Sequence, residues 1–549
     1  MNQVLVPRPA ATLILVRDAG GGMEVLMIRR TQSAAFMGGA HVFPGGGVDA
    51  SDASAELAAH CEGLDDAEAS RLLSLERGGL AYWNAALREC FEEAGLLLAH
   101  DAAGDYPDLN EEVFGQWRES VRSGKTTLAD LCREHRLRLA AGRMVYFSHW
   151  ITQPGRPRRY DTRFFVAEAP LAQKPSHDNR ETVDHLWIQP AHALEQHRRG
   201  EMQLVFPTIK TLESIAGFAT AAALMAYARS PRKMPTMAPR TARSREGKKL
   251  LVPGDYAYAE VGKLDPECQG TASCEIIPGT TVQLSPKVRR ITAPNPGYMT
   301  GPGTNTYLLG AGEDIVVIDP GPAIESHIEA VLAAAGGRIR WIMVTHTHTD
   351  HSPAAALLKA KTGAQLLGMP PPPLERQDQS FRPDRVLVHG ERLALADCVL
   401  RVIHAPGHAS NQLCYLLEDE KLLFTGDHVM QGSTVVINPP DGDMRVYLDS
   451  LRQLQSEDLD WLAPGHGFLL GRPQEALERL LIHRLGRENK VLNAVRDAGT
   501  GTLEHLLPRV YDDVSPRLHP VASRSLLAHL IKLRDEGRVQ ESRGSWSLA

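Results

Sequence analysis

The sequence has few cysteines and no apolar run of membrane-spanning length. Its 549 residues include seven cysteines, and none of these stand in a Cys-x-x-Cys pair. An odd number of cysteines without paired spacing argues against a secreted disulfide framework. The uncharged run at residues 215–228 is shorter than the roughly 20 residues that a transmembrane helix needs. We therefore expect a cytoplasmic protein with no membrane partner.

Neither sign of charge is in large excess. The net charge of −6 provides no overall attraction to phosphate backbones or anionic lipid, and leaves that role to local basic patches. A hydrophobic share of 43% and a charged share of 23% are ordinary for globular proteins. At roughly 150 residues per domain, the length predicts three or four structural units.

Changes in composition divide the chain into four regions. An α/β pattern occupies residues 1–228, a second α/β pattern occupies 271–475, and helical patterns dominate 476–549. Between residues 229 and 250 there are eight Lys or Arg, one Glu and three prolines. This composition predicts a linker over 229–270, either as a solvated tether or as an arm that contacts a polyanion.

Metal-ligand side chains follow several apolar runs in the second α/β region. Four of them come directly after the apolar run WIMV: His346, His348, Asp350 and His351. Three later apolar runs end in the same way: His408, Asp427 and His466. A lone histidine beside an apolar run is usually structural, but packing does not explain ligand-type residues after four separate runs. Five imidazoles and two carboxylates suffice for two Zn²⁺ ions that share one carboxylate.

This set resembles the motif of the metallo-β-lactamase superfamily, His-x-His-x-Asp-His followed by distant His, Asp and His. The resemblance implies an αββα sandwich with catalytic carboxylates at Asp350 and Asp427. It assigns the two zinc ions as follows: His346, His348 and His408 to the first, Asp350, His351 and His466 to the second, and Asp427 as the bridge. A water between two such ions has its pKa lowered toward about 7.

Three further polar residues flank this motif. Asp319 ends an apolar run, and we expect it to orient a ligand histidine, as carboxylates beside metal ligands commonly do. His404 and His428 lie close to ligands but outside motif positions. For these two histidines, a hydrogen-bonded loop position is favoured over contact with substrate.

The segment NPGYMTGPGTNTYLLG and the C-terminal tail resemble the branch that contains the lactamase-β-like endoribonucleases. The resemblance covers about residues 280–549 and implies a winged-helix-like C-terminal domain, phosphodiester cleavage and single-stranded RNA as a partner. Residues 481–549 carry eleven Lys or Arg and eight Asp or Glu, which suits RNA or a packing module without ligand. No complete ligand set follows His466, so deletion from about residue 481 is expected to leave the zinc content unchanged. Hydrolysis of a thioester, in acyl-coenzyme A or acylglutathione, is the alternative.

A second set of acids lies in the first α/β region. Glu89, Glu92 and Glu93 have the i, i+3, i+4 spacing that places three carboxylates on one helical face. On their own they also fit a solvated acidic surface. The loop HVFPGGGVD precedes them, and its Gly45 to Gly47 allow close approach of a ligand to the backbone.

This region resembles the Nudix hydrolase box, which ends in R-E-U-x-E-E-x-G-U with U a bulky apolar residue. The matching positions are Arg88, Glu89, Glu92, Glu93, Gly95 and Leu96. The resemblance implies an α/β/α sandwich in which the three glutamates hold Mg²⁺ or Mn²⁺ and Glu92 and Glu93 are catalytic. Over about residues 8–215 the likeness extends to the branch that cleaves acyl-coenzyme A, which implies a small-molecule diphosphate substrate.

The glutamate that normally follows the glycines of this box is absent. Asp49 and Asp52 are the nearest acids, and Glu181 is a candidate for a further acid from a later loop. The sequence as a whole therefore predicts a multidomain α/β protein that is a bifunctional, metal-dependent hydrolase. The alternative for its first half is a binding or regulatory module without catalysis.

Overall fold

In the computed structural model, which describes residues 5–32, 38–107, 112–177 and 182–549, the chain divides into two units. They are Met1–Pro239 and Arg240–Ala549. No helix in the described part of the chain is both long and apolar enough to cross a membrane.

The first unit is built around a mixed sheet. The strands of this unit are β1 (Arg8–Ala19), β2 (Gly22–Arg30), β3 (His41–Val42), β4 (Gly45–Gly47), β5 (Ala99–His100), β6 (Arg138–Leu139), β7 (Val145–Ile151), β8 (Tyr160–Glu168), β9 (Thr182–Ile188) and β10 (Thr236–Met237). Strands β5 and β6 pair with each other in a separate two-stranded sheet, and the other eight form the mixed sheet. Its α-helices are α1 (Ala55–His60), α2 (Asp66–Leu73), α3 (Leu80–Ala94), α4 (Glu112–Arg122), α5 (Leu128–Glu134), α6 (Pro190–Arg198), α7 (Phe206–Ile215) and α8 (Ala221–Arg229). The strand order is β10-β7-β8-β1-β2-β3, and β4 and β9 pair with β1 and β2.

Helices cover this sheet. Leu13 and Leu15 of β1 share a buried cluster with Trp83 and Phe91 of α3. Because side chains alternate along a strand, the intervening Ile14 lies on the opposite face of β1. Helix α6 contacts β2, and α8 contacts β1, β7 and β8. The layers form the α/β/α arrangement expected for this half.

Residues 229–270 differ from the solvated tether expected from their composition. Strand β10 pairs with β7, and the boundary between the two units falls just after it. The rest of the segment forms a hairpin of β11 (Arg240–Ser244) and β12 (Gly247–Leu251), followed by α9 (Tyr258–Leu264). Ala242, Leu251 and Val261 are the buried core of this substructure. Charged residues surround these few apolar positions, so the pattern of the hairpin is not apparent in the sequence.

Two sheets form the centre of the second unit. The first has the order β13 (Thr281–Gln283), β14 (Val288–Thr292), β15 (Asn305–Leu309), β16 (Asp314–Ile318), β17 (Arg338–Met343), β18 (Gln365–Gly368) and β19 (Arg385–Val386). The second has the order β20 (Arg392–Leu395), β21 (Cys398–His404), β22 (Leu413–Leu417), β23 (Leu422–Gly426), β24 (Trp461–Pro464) and β25 (Leu470–Gly471).

The sheets pack face to face with helices outside. Val316 and Met343 of the first sheet share a buried cluster with Val402 and Phe424 of the second. Helices α10 (Glu325–Ala335) and α11 (Ala354–Thr362) cover the outer face of the first sheet. Helices α12 (Met444–Gln455) and α13 (Pro473–Ala498) cover that of the second. This is the expected αββα sandwich.

Helix α13 continues into a small C-terminal domain. Its other elements are β26 (Thr500–Thr502), α14 (Leu503–Val510), α15 (His519–Asp535), β27 (Val539–Ser542) and β28 (Ser545–Leu548). The strands form a sheet of order β26-β28-β27. Trp546 of β28 is buried together with Leu506 of α14 and Leu530 of α15. Helices packed on a strand hairpin correspond to the predicted winged-helix-like domain.

Candidate metal centres

The metal-ligand side chains of the second unit come from the ends of four strands. The loop that follows β17 carries four of them: His346, His348, Asp350 and His351. His408 lies on the loop after β21, Asp427 directly follows β23, and His466 lies two residues beyond β24. The two sheets bring these strand ends together, so all seven predicted side chains converge.

Three histidines form the first group. The Nδ1 atom of His348 lies 3.0 Å from Nε2 of His346 and 3.1 Å from Nε2 of His408. His346 and His408 are buried. Three ring nitrogens therefore face one point, which is the donor set and the approach that tetrahedral Zn²⁺ requires.

Two carboxylates and two histidines form the second group. Oδ1 of Asp427 lies 3.3 Å from Nε2 of His351 and 3.2 Å from Nε2 of His466. Oδ2 of Asp350 lies 3.5 and 3.4 Å from the same two nitrogens. The second carboxylate oxygen of Asp427 lies 3.8 Å from Nε2 of His408. Asp427 thus stands between the two groups.

Hydrogen bonds to backbone carbonyls set the orientation of two of these rings. Nδ1 of His408 lies 2.9 Å from the carbonyl oxygen of Val436, and Nδ1 of His466 lies 3.1 Å from that of Gly303. A carbonyl oxygen only accepts, so Nδ1 of each ring is the donor. The Nε2 atom of each ring is consequently the nitrogen that faces the centre.

Asp319 orders two more rings. Its Oδ2 accepts hydrogen bonds from His351 Nδ1 at 2.9 Å and from the Thr345 hydroxyl at 2.7 Å. Because the Thr345 proton is committed to Asp319, its oxygen accepts from Nδ1 of His346, 3.1 Å away. Asp319 has the role expected from the sequence, and it reaches both ligand groups.

The buried donor atoms fit divalent cations. Nε2 of His351 and Oδ1 of Asp427 are buried without a hydrogen-bond partner. An unpaired buried polar atom is costly, and lone pairs that face one another repel unless a cation lies between them. The imidazole-and-carboxylate set is also the one that Zn²⁺ and related metals prefer. The site therefore fits two metal ions, one at each group.

Burial and the local carboxylates drive the imidazole pKa values in opposite directions. Burial lowers the pKa of His346, of His408 and, to about 3, of His348. Burial acts the same way on His466, but Asp427 and Asp350 outweigh it and raise the pKa to about 9. The first group therefore presents neutral rings, whereas the second concentrates negative charge around its rings.

The two flanking histidines differ from each other. His404 is partly buried, and its Nε2 lies 3.0 Å from the carbonyl oxygen of Ser410, as expected for a bonded loop residue. His428 is completely buried. Neither of its ring nitrogens has a hydrogen-bond partner in the structure, so the expectation of a hydrogen-bonded position was wrong for His428. Burial lowers its pKa to about 3.

Helix α3 carries the acidic set of the first unit. It ends at Gly95, which has a φ of 66°, a conformation that favours glycine. Arg88 of this helix forms a double hydrogen bond with Asp52, Nε to Oδ1 and Nη2 to Oδ2, both at 2.9 Å. The Arg88 Nη1 atom also donates to Glu89 at 3.0 Å and to Glu92 at 3.2 Å. Asp52, one of the two acids named from the sequence, thus anchors the arginine.

Glutamates of α3 lie against the glycine-rich strand β4. The Gly45 amide donates to Oε2 of Glu93 at 2.9 Å. A Cβ atom at Gly46 would stand 2.4 Å from Oε1 of Glu89, so that carboxylate fills the space that a side chain would need. Burial, with the neighbouring Glu92 carboxylate, raises the pKa of Glu89 to about 7.

The carboxylates fit a hard divalent cation by their chemistry. Their oxygen atoms do not converge on one point as the histidine nitrogens do. In the described part of the chain, the groups of ligand atoms that lie close together are those of the second unit. A cavity of about 430 Å³ adjoins the glutamates, and Arg30, Arg122 and Arg158 line it. Its cations suit phosphate groups. Glu181 lies outside the described residues.

Family models match three segments of the chain in the order of these structural parts. They are the NUDT19 Nudix domain at residues 64–215, the metallo-β-lactamase superfamily at 299–466, and the β-lactamase-associated winged helix domain at 502–546. The chain is thus a metal-dependent hydrolase with two candidate centres. It belongs to the metallo-β-lactamase superfamily and joins that domain to a Nudix domain and a winged-helix domain.

Individual proteins match about half of the chain. The lactamase-like protein nscB of Trichophyton equinum is 33% identical over 276 residues, which are 47% of this chain and 80% of that protein. The atrochrysone carboxyl ACP thioesterase nsrC of Aspergillus novofumigatus is 29% identical, over 47% of this chain and 81% of its own. The crystal structure of a NUDIX hydrolase from Alicyclobacillus acidocaldarius aligns with 29% identity over 40% of this chain and 96% of its own, with a TM-score of 0.34.

Proposed function

We propose that this protein is a bifunctional hydrolase of acyl-coenzyme A-like compounds, which contain both a thioester and a diphosphate. The thioester is the substrate of a dizinc centre, and the diphosphate is the substrate of a Mg²⁺ or Mn²⁺ centre in the Nudix domain. The observation that carries the proposal is the presence, on one chain, of a mostly buried cluster of seven ligand-type side chains and a separate glutamate cavity lined by arginines.

At the dizinc centre, the protein would hold two ions and fixes the orientation of the side chains that bind them. His346, His348 and His408 would hold one zinc ion, Asp350, His351 and His466 the other, and Asp427 both. Zinc bound there supplies polarisation of an acyl or phosphoryl oxygen and makes water more acidic. Asp319 and the Val436 and Gly303 carbonyls keep the rings oriented. Asp350 and Asp427 are the carboxylates that we propose as acceptors of the water proton. In the overall reaction water adds its oxygen to the acyl carbon and the C–S bond breaks, which gives a carboxylate, a thiol and a proton.

At the Nudix centre, Glu89, Glu92 and Glu93 would hold the cation, which supplies neutralisation of the diphosphate charge. Arg88, which is held by Asp52, donates hydrogen bonds to Glu89 and Glu92 and so restricts their orientation. We propose that Arg30 and Arg158 of the cavity bind the phosphate oxygens. Water attacks one phosphorus atom and the P–O–P link breaks, which gives two phosphomonoesters.

Two observations favour a thioester over single-stranded RNA at the dizinc centre. One of the similar proteins is named as an acyl-carrier thioesterase. The other is that part of the basic charge of the C-terminal domain is paired with acids of the same domain. Five of its cations pair with acids there: Arg487, Lys490, Lys532, Arg534 and Arg538. Paired cations contribute little to the counterion release that drives RNA binding.

An acyl-coenzyme A substrate tests both centres in one reaction. Mass spectrometry distinguishes free coenzyme A, the product of thioester cleavage, from an acylated phosphopantetheine, the product of diphosphate cleavage. His348→Ala should lower the rate of formation of the first product, and Glu93→Gln that of the second, each by at least roughly 100-fold. Loss of a hydrogen bond to a metal ligand usually costs less than this. Single-stranded RNA is included as a substrate, and its cleavage without coenzyme A release would replace the thioester proposal.

A further inference from the structure

One peptide group links the metal ligand His408 to the C-terminal domain. The Val436 carbonyl oxygen lies 2.9 Å from Nδ1 of His408. The N–H of the same peptide group, which belongs to Ile437, donates to the hydroxyl of Ser525 on α15 at 3.3 Å. In a trans peptide the C=O and N–H point in opposite directions within one plane. The Val436–Ile437 peptide group therefore bonds to the imidazole at one edge and to the serine hydroxyl at the opposite edge.

The preceding peptide is held from the same domain. The guanidinium of Arg484 on α13 donates through Nη2 to the carbonyl oxygen of Val435. Arg484 is buried and lies 5.4 Å over the ring of Tyr447. The Tyr447 hydroxyl donates to the carbonyl of His428 at 3.0 Å. Two successive carbonyls thus have defined partners. That of Val435 accepts from Arg484, and that of Val436 accepts from His408, which is a proposed metal ligand.

Apolar packing fixes the segment against the same helices. Val435 and Ile437 are buried in one cluster with Leu477 and Leu481 of α13 and Ala528 of α15. Residues 435–437 belong to no strand or helix. Their position is consequently determined by the helices beneath them rather than by a sheet ladder.

We propose that the winged-helix domain positions the His408 imidazole, with Ser525 as the positioning residue that acts through the Val436–Ile437 peptide. The proposal rests on the metal role proposed above for His408. Without the hydroxyl, the buried Ile437 amide lacks its acceptor, and a buried unpaired amide is unfavourable enough to reorient the peptide. The carbonyl then no longer holds the ring, so the metal bound by His346, His348 and His408 weakens. The group around His351 and His466 has other orienting partners and is unaffected.

This inference replaces the expectation that the metal content is independent of residues beyond about 481. Both Arg484 and Ser525 lie in the part that such a deletion removes. The C-terminal domain is therefore part of the metal centre's support, although it supplies no ligand.

Full-length variants with single substitutions test the inference. Ser525→Ala removes the acceptor, Ser525→Thr keeps a hydroxyl, and Ser523→Ala is the control, because the Ser523 hydroxyl donates to Pro520 of its own helix. The affinity of each of the two metal equivalents is measured by competition with a chromophoric chelator, and Co²⁺ absorption spectra report the ligand geometry. For Ser525→Ala we expect one equivalent to bind about 10-fold more weakly with an altered Co²⁺ spectrum, and for the other two variants wild-type behaviour.

Other outcomes overturn the inference. Unchanged metal binding in Ser525→Ala, an equal loss of both equivalents together with a lower unfolding temperature of the metal-free protein, or an equal loss in Ser523→Ala would each do so. His408→Ala separates this failure from that of the proposed function. If His408→Ala weakens one equivalent while Ser525→Ala does not, only the positioning role is wrong. If His408→Ala has no effect on metal binding, the proposed dizinc centre is wrong.

Discussion

The carboxylate of Asp319 accepts a hydrogen bond from the imidazole of His351 at 2.9 Å. The same oxygen accepts from the Thr345 hydroxyl, and the other oxygen accepts from the Thr345 amide, both at 2.7 Å. Asp319 follows β16, whereas Thr345 and His351 lie on the loop after β17. One buried carboxylate thus connects two neighbouring strand ends and determines which nitrogen of His351 faces the metal group.

Asp319→Asn should therefore weaken metal binding. The amide has almost the same shape, and asparagine tolerates the φ of 52° at this position, so the fold should persist. It cannot replace a carboxylate that accepts from both Thr345 and His351. We expect a loss of metal affinity of about 10- to 100-fold, measured as metal retained per chain after dialysis against graded chelator. Asp314→Asn is the control at the partly buried beginning of β16, and equal metal retention in the two variants would contradict the prediction.

Asp52→Asn should destabilise the Nudix domain. The side chains of Asp52 and Arg88 are 0% and 8% exposed, and removal of one partner from a buried ion pair costs about 3 kcal/mol or more. Asp49→Asn is the control, because Asp49 is 68% exposed and lies 3.7 Å from Arg88, a geometry worth less than about 1 kcal/mol. Hydrogen exchange of the α3 amides measures both variants. Protection that falls equally in both, or in neither, would show that the buried pair is not the reason for the stability of α3.

The cluster of candidate metal ligands was predictable because each of its residues is marked by the sequence immediately around it. Each ligand stands at the end of an apolar run, and strand ends that meet at one edge bring such side chains together. Asp319 could be recognised by the same rule. The carbonyls that orient His408 and His466 could not, because any residue supplies a carbonyl oxygen. Val436 in particular has no side-chain property that indicates its role.

Contacts between residues far apart in the chain were also not predictable from the sequence. Asp52 was named as a possible acid of the Nudix box, but its pairing with Arg88 depends on how the insertion between them folds. The hairpin of β11 and β12 was hidden for a different reason. Its core consists of a few apolar side chains among many charged ones, so the composition favoured a tether.

The stability of the C-terminal domain should depend on pH through Glu488. Burial alone would raise its pKa, but His529 and Lys532 lower it to about 2, below the value of about 4.3 in an unfolded chain. A carboxyl with a depressed folded pKa stabilises the fold above its unfolded pKa, and this contribution disappears as the pH falls toward the folded value. Glu488→Gln should therefore cost about 3 kcal/mol at neutral pH, with the difference from wild type shrinking between about pH 4 and pH 2.

Hydrogen exchange of the α15 amides, compared at each pH with the wild-type protein, measures this effect. Glu541→Gln is the control, since the exposed Glu541 lies 3.6 Å from the exposed Arg534. A stability difference for Glu488→Gln that stays constant or grows in acid would mean that the ion pair with Lys532 is not its source.

Two adjacent glycines allow the carboxylate cradle of the Nudix centre to be tested directly. A methyl group at Gly46 would lie 2.4–2.7 Å from the carboxylate atoms of Glu89, whereas one at Gly47 would meet no atom within 4 Å. Neither residue has the positive φ that would strain alanine on its own.

Gly46→Ala must displace Glu89, so the Mg²⁺ concentration for half-maximal diphosphate cleavage should rise about 10-fold or more, the lower bound typical of a disturbed metal shell. Gly47→Ala should change that concentration much less. Thioester cleavage, measured in the same samples, should be equal in both variants because its proposed metal ligands lie in the other unit. If both alanines shifted the Mg²⁺ requirement equally, contact with Glu89 would not be what these glycines provide, and the assignment of Glu89 as a magnesium ligand would lose its structural support.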